Sequence, residues 1–148
     1  MKILENEKKC TGCGLCEWVC DKNAITMHTT EGGFLYPQID ADKCASCGKC
    51  RNLCPVNKER KSVTPSECYA LSDNRTEQRC KSASGGASAL LFEETINNGG
   101  TVCGCKLDEN LKAVHDTACS IESIDLFRDS KYVQSDMSAA WDKINECI

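Results

Sequence analysis

The sequence predicts an α+β fold in two parts, a small pseudo-twofold domain followed by a small α/β domain, and three observations carry that prediction. Cys10, Cys13, Cys16 and Cys20 recur as Cys44, Cys47, Cys50 and Cys54 at a constant offset of 34 residues, so the first third of the chain is an internal repeat. After Pro55 the composition turns polar and charged through VNKERKSVTPSE, residues 56–67, and Pro65 breaks it further. From Cys68 onward helical and alternating segments take turns, the pattern of an α/β unit. The expected organisation is therefore a domain over 1–57, a linker over 58–67 and a second domain over 68–148.

Each element has a local reason. AITMH and FLYPQID alternate in character and flank TTEGG, which predicts a hairpin with Gly32 and Gly33 in its turn. ECYAL, residues 67–71, has strand composition. SASGGASALLFEETINNGG reads as a glycine-containing loop that opens a helix from Ala87 to Asn97, stopped by Gly99 and Gly100. TVCGCKLDE and LKAVHDTAC alternate and are expected to pair across Glu109 and Asn110. Helices follow over Ser123 to Phe127 and Ser138 to Cys147. Trp141, Ile144 and Ile148 fall at helical spacing with no later segment to pack on, so the second domain is expected to be truncated.

Composition narrows the function. The 41% apolar content, with three Phe, three Tyr and two Trp, suits a modest core. No run approaches the roughly 18 apolar residues of a membrane span. MKILENEKKC lacks the apolar stretch of a signal peptide, so a cytoplasmic location is expected. The formal charge is -4 and basic residues are scattered apart from KERK, Lys58 to Lys61, which argues against nucleic acid. Fourteen cysteines without a secretory signal point to ligation rather than disulfides.

The cysteine runs, CTGCGLCEWVC and CASCGKCRNLC, follow a C-x2-C-x2-C-x3-C spacing. Two-residue spacers turn three thiolates inward from one loop, as a [4Fe-4S] cubane requires, and the fourth ligand must come from elsewhere. In two-cluster bacterial ferredoxins the fourth cysteine of each run serves the other cluster. That rule assigns Cys10, Cys13, Cys16 and Cys54 to one cluster, and Cys44, Cys47, Cys50 and Cys20 to the other. Gly12, Gly14 and Gly48 fit close backbone packing around inorganic sulfide. Zinc also accepts four thiolates, but zinc ribbons use separate C-x2-C knuckles. Cys20 is followed by Asp21, where the pattern places proline, whereas Cys54 is followed by Pro55, so the first run is expected to be the more solvent-exposed. Nothing in residues 1–57 offers a base, nucleophile or substrate pocket, so this part is a wire for electrons.

On these runs residues 1–57 resemble a bacterial two-[4Fe-4S] ferredoxin domain. CKSASGGASALL (80–91), NNGGTVCGCKLDENLKAVH (97–115) and RDSKYVQSD (128–136) are similar to the N-terminal part of the deazaflavin (coenzyme F-420) hydrogenase/dehydrogenase beta-subunit family. The resemblance implies an iron-sulfur electron-transfer subunit of a flavin-linked oxidoreductase, with FAD bound by the longer protein and a deazaflavin or other small molecule as substrate. It also implies a redox partner, either another protein or a flavin-containing region. Ser82, Ser84, Gly85 and Gly86, before a helix whose free N–H groups suit a phosphate, and Lys131 are the expected flavin contacts. Ser84 is equally an ordinary helix cap, and Lys131 with Tyr132 equally a surface pair. The alternative function is a non-catalytic electron carrier or docking module, and catalysis by the chain alone is not expected. Cys103 and Cys105 share a strand face, and they, like Cys68, Cys80, Cys119, Cys147, His28 and His115, read as ordinary packing or surface residues.

Overall fold

A computed structural model describes residues 2–58 and 62–148. The chain is a mixture of helices and small sheets, an α+β fold, and divides into two compact units, Met1–Ser62 with Asp136–Trp141 and Val63–Ser135 with Asp142–Ile148. The linker expected over 58–67 contains residues 59–61, which lie outside the described residues. Among the described residues no helix is long and apolar enough to cross a membrane.

The first unit repeats one device. Gly14 and Gly48 adopt φ of +71° and +76°, the left-handed region that glycine enters without a Cβ penalty, and each opens a short helix, α1 (Leu15–Trp18) and α2 (Lys49–Leu53). Helices of four and five residues cannot stand on their own hydrogen bonds. Between them β1 (Ile25–Thr29) and β2 (Leu35–Ile39) form the expected antiparallel hairpin, Ile25 opposite Ile39, with Gly33 at φ +79° in its turn. Glu17 ties α1 to the hairpin by accepting a bond from the Met27 N–H at 3.1 Å.

The core of this unit is Ile3, Leu4, Val19, Ile25 and Cys50, and Cys10, Cys16, Cys20 and Cys54 pack against it with Leu15, Ile39 and Val56. Five of these twelve side chains are cysteines of the two runs. So small an apolar set leaves a unit of this size dependent on what the thiols hold. Asn57 closes the unit by donating to the carbonyls of Ile3 and Arg51, at 2.8 and 2.9 Å.

In the second unit ECYAL is not a strand: residues 67–71 are irregular, and Tyr69 and Leu71 are exposed. With no strand paired to it among the described residues, β composition alone does not make a strand there. The segment is anchored instead at Asp73, whose N–H donates to Gly85 O at 2.7 Å. A short α3 (Thr76–Cys80) precedes α4 (Ala87–Asn97), which has the bounds the sequence predicts. Gly86 caps the start of α4 at φ +80°, and Gly99 ends the turn beyond it at φ +77° while Gly100 N–H returns to Thr95 O at 2.9 Å. The hairpin of β3 (Val102–Leu107) and β4 (Ala113–Ala118) is antiparallel, and Asp108 holds its turn by accepting from Asn110 and Lys112 N–H.

The expected helix near Ser123 is a 3-10 helix over Ile121–Phe127, which presents Ile124 and Phe127 to the hairpin and α4. Ile124 is 2% exposed, and Phe127 meets Phe92 edge-on with ring centres 6.0 Å apart. The last helix, α5, runs Ser138–Glu146, one residue short of the expected end. Its first residues count with the first unit, where Ala140 is wholly buried.

Candidate metal centre

The cysteines of the two runs are positioned by the two glycine-opened turns, and the thiols that face one another are not those of a single run. Burial pushes the Cys10 thiol up; the Gly12 N–H, 3.5 Å from its sulfur, works against that, and the nearby Cys13 and Cys54 sulfurs add to the rise. Cys16 is pushed up to about 12, first by burial, with the Glu17 N–H opposing it and Cys13 and Cys10 adding. Cys10 therefore has Cys13 of its own run and Cys54 of the second run near it, and Cys16 has Cys13 and Cys10.

The second grouping is reciprocal. Burial raises the Cys50 thiol, backbone N–H groups of Arg51 and Cys50 oppose it, and Cys20 and Cys47 raise it further. A cavity of about 120 Å³ is lined by Cys20, Cys44, Cys47 and Cys50, with Ile25 and Ile39 among its apolar walls. Ala24 N–H donates to Cys20 Sγ at 3.4 Å. Lys49 pairs with Asp21 at 3.0 Å across the edge of this site, so the residue that replaces proline supplies a surface ion pair.

These donors suit an iron-sulfur cluster. They are all sulfur, those of the second grouping surround a space with apolar walls, and N–H groups point at two of the sulfurs, as in cluster-binding loops. Thiols raised by burial lose their protons when iron replaces them. Among the described residues no three His, Cys, Asp or Glu side chains close on a single metal ion.

Exposure of the two loops reverses the expectation drawn from Asp21. Gly12 and Gly14 are buried and Cys13 is half-buried, whereas Ala45, Ser46 and Cys47 of the second loop are exposed. Trp141 lies against the first loop: its Nε1–H donates to Cys13 O at 2.8 Å, and its ring lies 6.3 Å from that of Trp18, tilted by 32°.

The expected flavin contacts divide. Ser82, Ser84 and Gly86 line a cavity of about 180 Å³ at the start of α4, together with Ala89, Phe92 and Arg128. Gly85 is not in its wall but turned to the chain before α3, where an added Cβ would stand 2.8 Å from Leu71 O. Lys131 is outside it too, and its ammonium donates to the carbonyls of Arg128 and Asp129. Arg128 is the residue that sequence reasoning passed over. Its side chain is 7% exposed and donates to Ser82 Oγ at 2.7 Å, to Gln78 O and Oε1 at 3.2 and 3.0 Å, and to Asp125 at 2.6 Å. It stands within RDSKYVQSD, but its bonds to Gln78 and Ser82, far along the chain, set its place.

All fourteen cysteines are free, and the six outside the runs are exposed apart from half-buried Cys105. Cys105 stands opposite His115, whose Nδ1 is 2.8 Å from Ser135 Oγ and whose burial holds its basicity below the usual imidazole value. No curated protein matches the chain. Residues 9–58, the segment that holds both thiol groups, match the family model described as a 4Fe-4S dicluster domain, so the chain carries such a domain and an iron-sulfur electron-transfer role.

Proposed function

We propose that the chain transfers single electrons through two [4Fe-4S] clusters, held by Cys10, Cys13, Cys16 and Cys54 and by Cys44, Cys47, Cys50 and Cys20, as a component of a flavin-linked oxidoreductase. The observation that carries this reading is the company of Cys20, which lines one cavity with the first three cysteines of the other run. When bound, each cluster supplies a site for one electron at a time. The chain's part is to hold the thiolates, wall them with Ile25 and Ile39, and aim the N–H groups of Gly12 and Ala24 at sulfur. Residues 1–57 form the electron-transfer domain, 58–67 the linker and 68–148 a domain similar to the coenzyme F-420 hydrogenase/dehydrogenase beta subunits. Fourteen free thiols suit a reducing compartment such as the cytoplasm.

The flavin half of this reading rests on Ser82, Ser84, Gly86 and Arg128 around the start of α4. Their cavity, about 180 Å³, has room for a phosphate-sized group. Sites for whole small molecules usually measure roughly 300–1,000 Å³. That difference favours a second reading for the chain as it stands, a carrier without its own flavin that serves a partner protein.

Anaerobic reconstitution with iron and sulfide, followed by metal counting and EPR of the reduced protein, tests the cluster assignment. About eight iron atoms and eight sulfides per chain are expected from two cubanes. Two zinc ions and no sulfide would end it. Titration of the reconstituted chain with FAD, followed by flavin fluorescence, separates the two readings: saturable quenching supports the flavin component, and its absence the carrier.

A further inference from the structure

The two cysteine runs repeat in sequence, but the structure treats them differently. At matched positions, 34 residues apart, Gly12 corresponds to Ser46, Cys13 to Cys47, Gly14 to Gly48 and Trp18 to Asn52. The first member of each of the first three pairs is more buried than the second. An added Cβ on Gly48 would meet only Asn52, 3.9 Å away, while one on Gly14 would meet Met27 and the indole nitrogen of Trp141 at the same distance. Among the described residues no indole donates to the second run as Trp141 does to Cys13, which it reaches from 128 residues along the chain.

The segment that delivers this indole is built for its position. Asp136–Trp141 groups with the first unit, Asp136 accepts from Ser138 N–H at 2.9 Å where α5 begins, and Ala140 is wholly buried. The Trp141 ring then has two duties. Its N–H fixes the carbonyl of Cys13, so the backbone that carries this thiol cannot turn freely, and its ring covers the loop beside Trp18.

We propose that Asp136–Trp141 is a cap on the first cysteine loop and that Trp141 is a positioning residue for Cys13. The cap makes the two sites unequal and leaves the Cys44–Lys49 loop as the face through which solutes and redox partners reach the protein. The inference rests on the two-cluster reading above. It explains why the run lacking the expected proline is nonetheless the protected one: protection comes from a distant segment rather than from the motif itself.

The test uses the full chain, reconstituted anaerobically, with a strong ferrous chelator as the probe and iron release as the readout. Release is expected in two phases of equal size, and Cys47→Ala should abolish the fast one. Trp141→Ala should speed the slow phase roughly tenfold or more and leave the fast phase alone. Trp141→Phe, which keeps a ring but no donor, should fall between them. Fluorescence supplies a readout that general loosening would not reproduce. The only two tryptophans of the chain are the Trp18–Trp141 pair, so loaded Cys47→Ala, with only the first site filled, should be strongly quenched, and loaded Cys13→Ala much less so. A single release rate, an unchanged slow phase in Trp141→Ala, equal acceleration of both phases, or equal quenching in the two cysteine variants would each overturn the cap while leaving the clusters in place. A chain that binds no iron and sulfide at all would overturn the cluster reading together with it.

Discussion

Cys54 stands beside Cys10, close enough for its sulfur to raise the Cys10 thiol, although the two belong to different cysteine runs. The exchange of final ligands proposed above makes a definite prediction. Cys54→Ala should remove the cluster of Cys10, Cys13 and Cys16, and Cys20→Ala that of Cys44, Cys47 and Cys50. Each variant should fall from about eight iron atoms to about four. EPR of each reduced variant, compared with Cys13→Ala and Cys47→Ala, identifies the cluster that is left. Cys20→Ala resembling Cys13→Ala would mean that each run serves itself.

Gly104 lies directly under Phe127, and an added Cβ there would stand 2.5 Å from the ring. Gly104→Ala must displace the ring that also meets Phe92 edge-on, at a cost of about 1–3 kcal/mol. Thermal unfolding followed by circular dichroism should show the loss, and the iron content of the reconstituted variant should stay at the wild-type value. Gly33→Ala is the contrast: nothing stands within 4 Å, and only the φ of +79° resists the substitution.

Ile124 is the largest side chain buried to the limit in this protein among the described residues. Ile124→Ala should cost about 2–5 kcal/mol, the range for opening a cavity beneath packed elements. Hydrogen exchange read by mass spectrometry should show β3, β4 and α4 losing protection together. Protection unchanged in α4 would mean that Ile124 does not join helix to hairpin.

Asp73 is buried and accepts three bonds from Arg75, which in turn pairs with Glu93 on α4 at 2.8 Å. The Arg75 side chain first, and its N–H next, hold the Asp73 carboxyl down at about 2. A depressed folded-state value means that this stabilisation is complete above the ordinary carboxylate pKa of about 3.9 and is lost as pH falls through about 2. Asp73→Asn should therefore weaken protection of the α4 amides at neutral pH, and its difference from wild type should shrink between pH 4 and pH 2. Hydrogen exchange at a series of pH values checks this, and a difference that grows on acidification would contradict it.

How much could be read beforehand depended on how local each feature was. The bounds of α4 follow from Gly86 before it and Gly99 and Gly100 after it, and both hairpins follow from alternation around a glycine turn and an Asp-Glu-Asn turn. The spacing of the cysteines is equally local. By contrast, α1, α2 and α3 are four or five residues long, less than two turns, and leave no period to detect. ECYAL has the composition of a strand but no paired strand among the described residues, which composition does not reveal. Asp21 suggested an open first loop, and the Trp141 bond to Cys13 that covers this loop joins residues too distant for any pattern to link. Arg128 was missed for the same reason, since Gln78 and Ser82 meet it from about fifty residues away.

The bond from Asn57 to the carbonyl of Ile3 gives the thiol-bearing segment a property of its own. Its first and last strands of backbone meet, so the path enters and leaves at one point. Such a segment can be joined to a host protein, or spliced into a surface loop of one, without pulling the host apart. It can also be rewired, with Ile3 and Asn57 bridged by a short tether and new ends opened at the exposed Glu31–Gly33 turn. Portability of this kind is a geometric asset: the electron-carrying part can travel as a cassette, and it keeps the order of its first loop when Asp136–Trp141 travels with it.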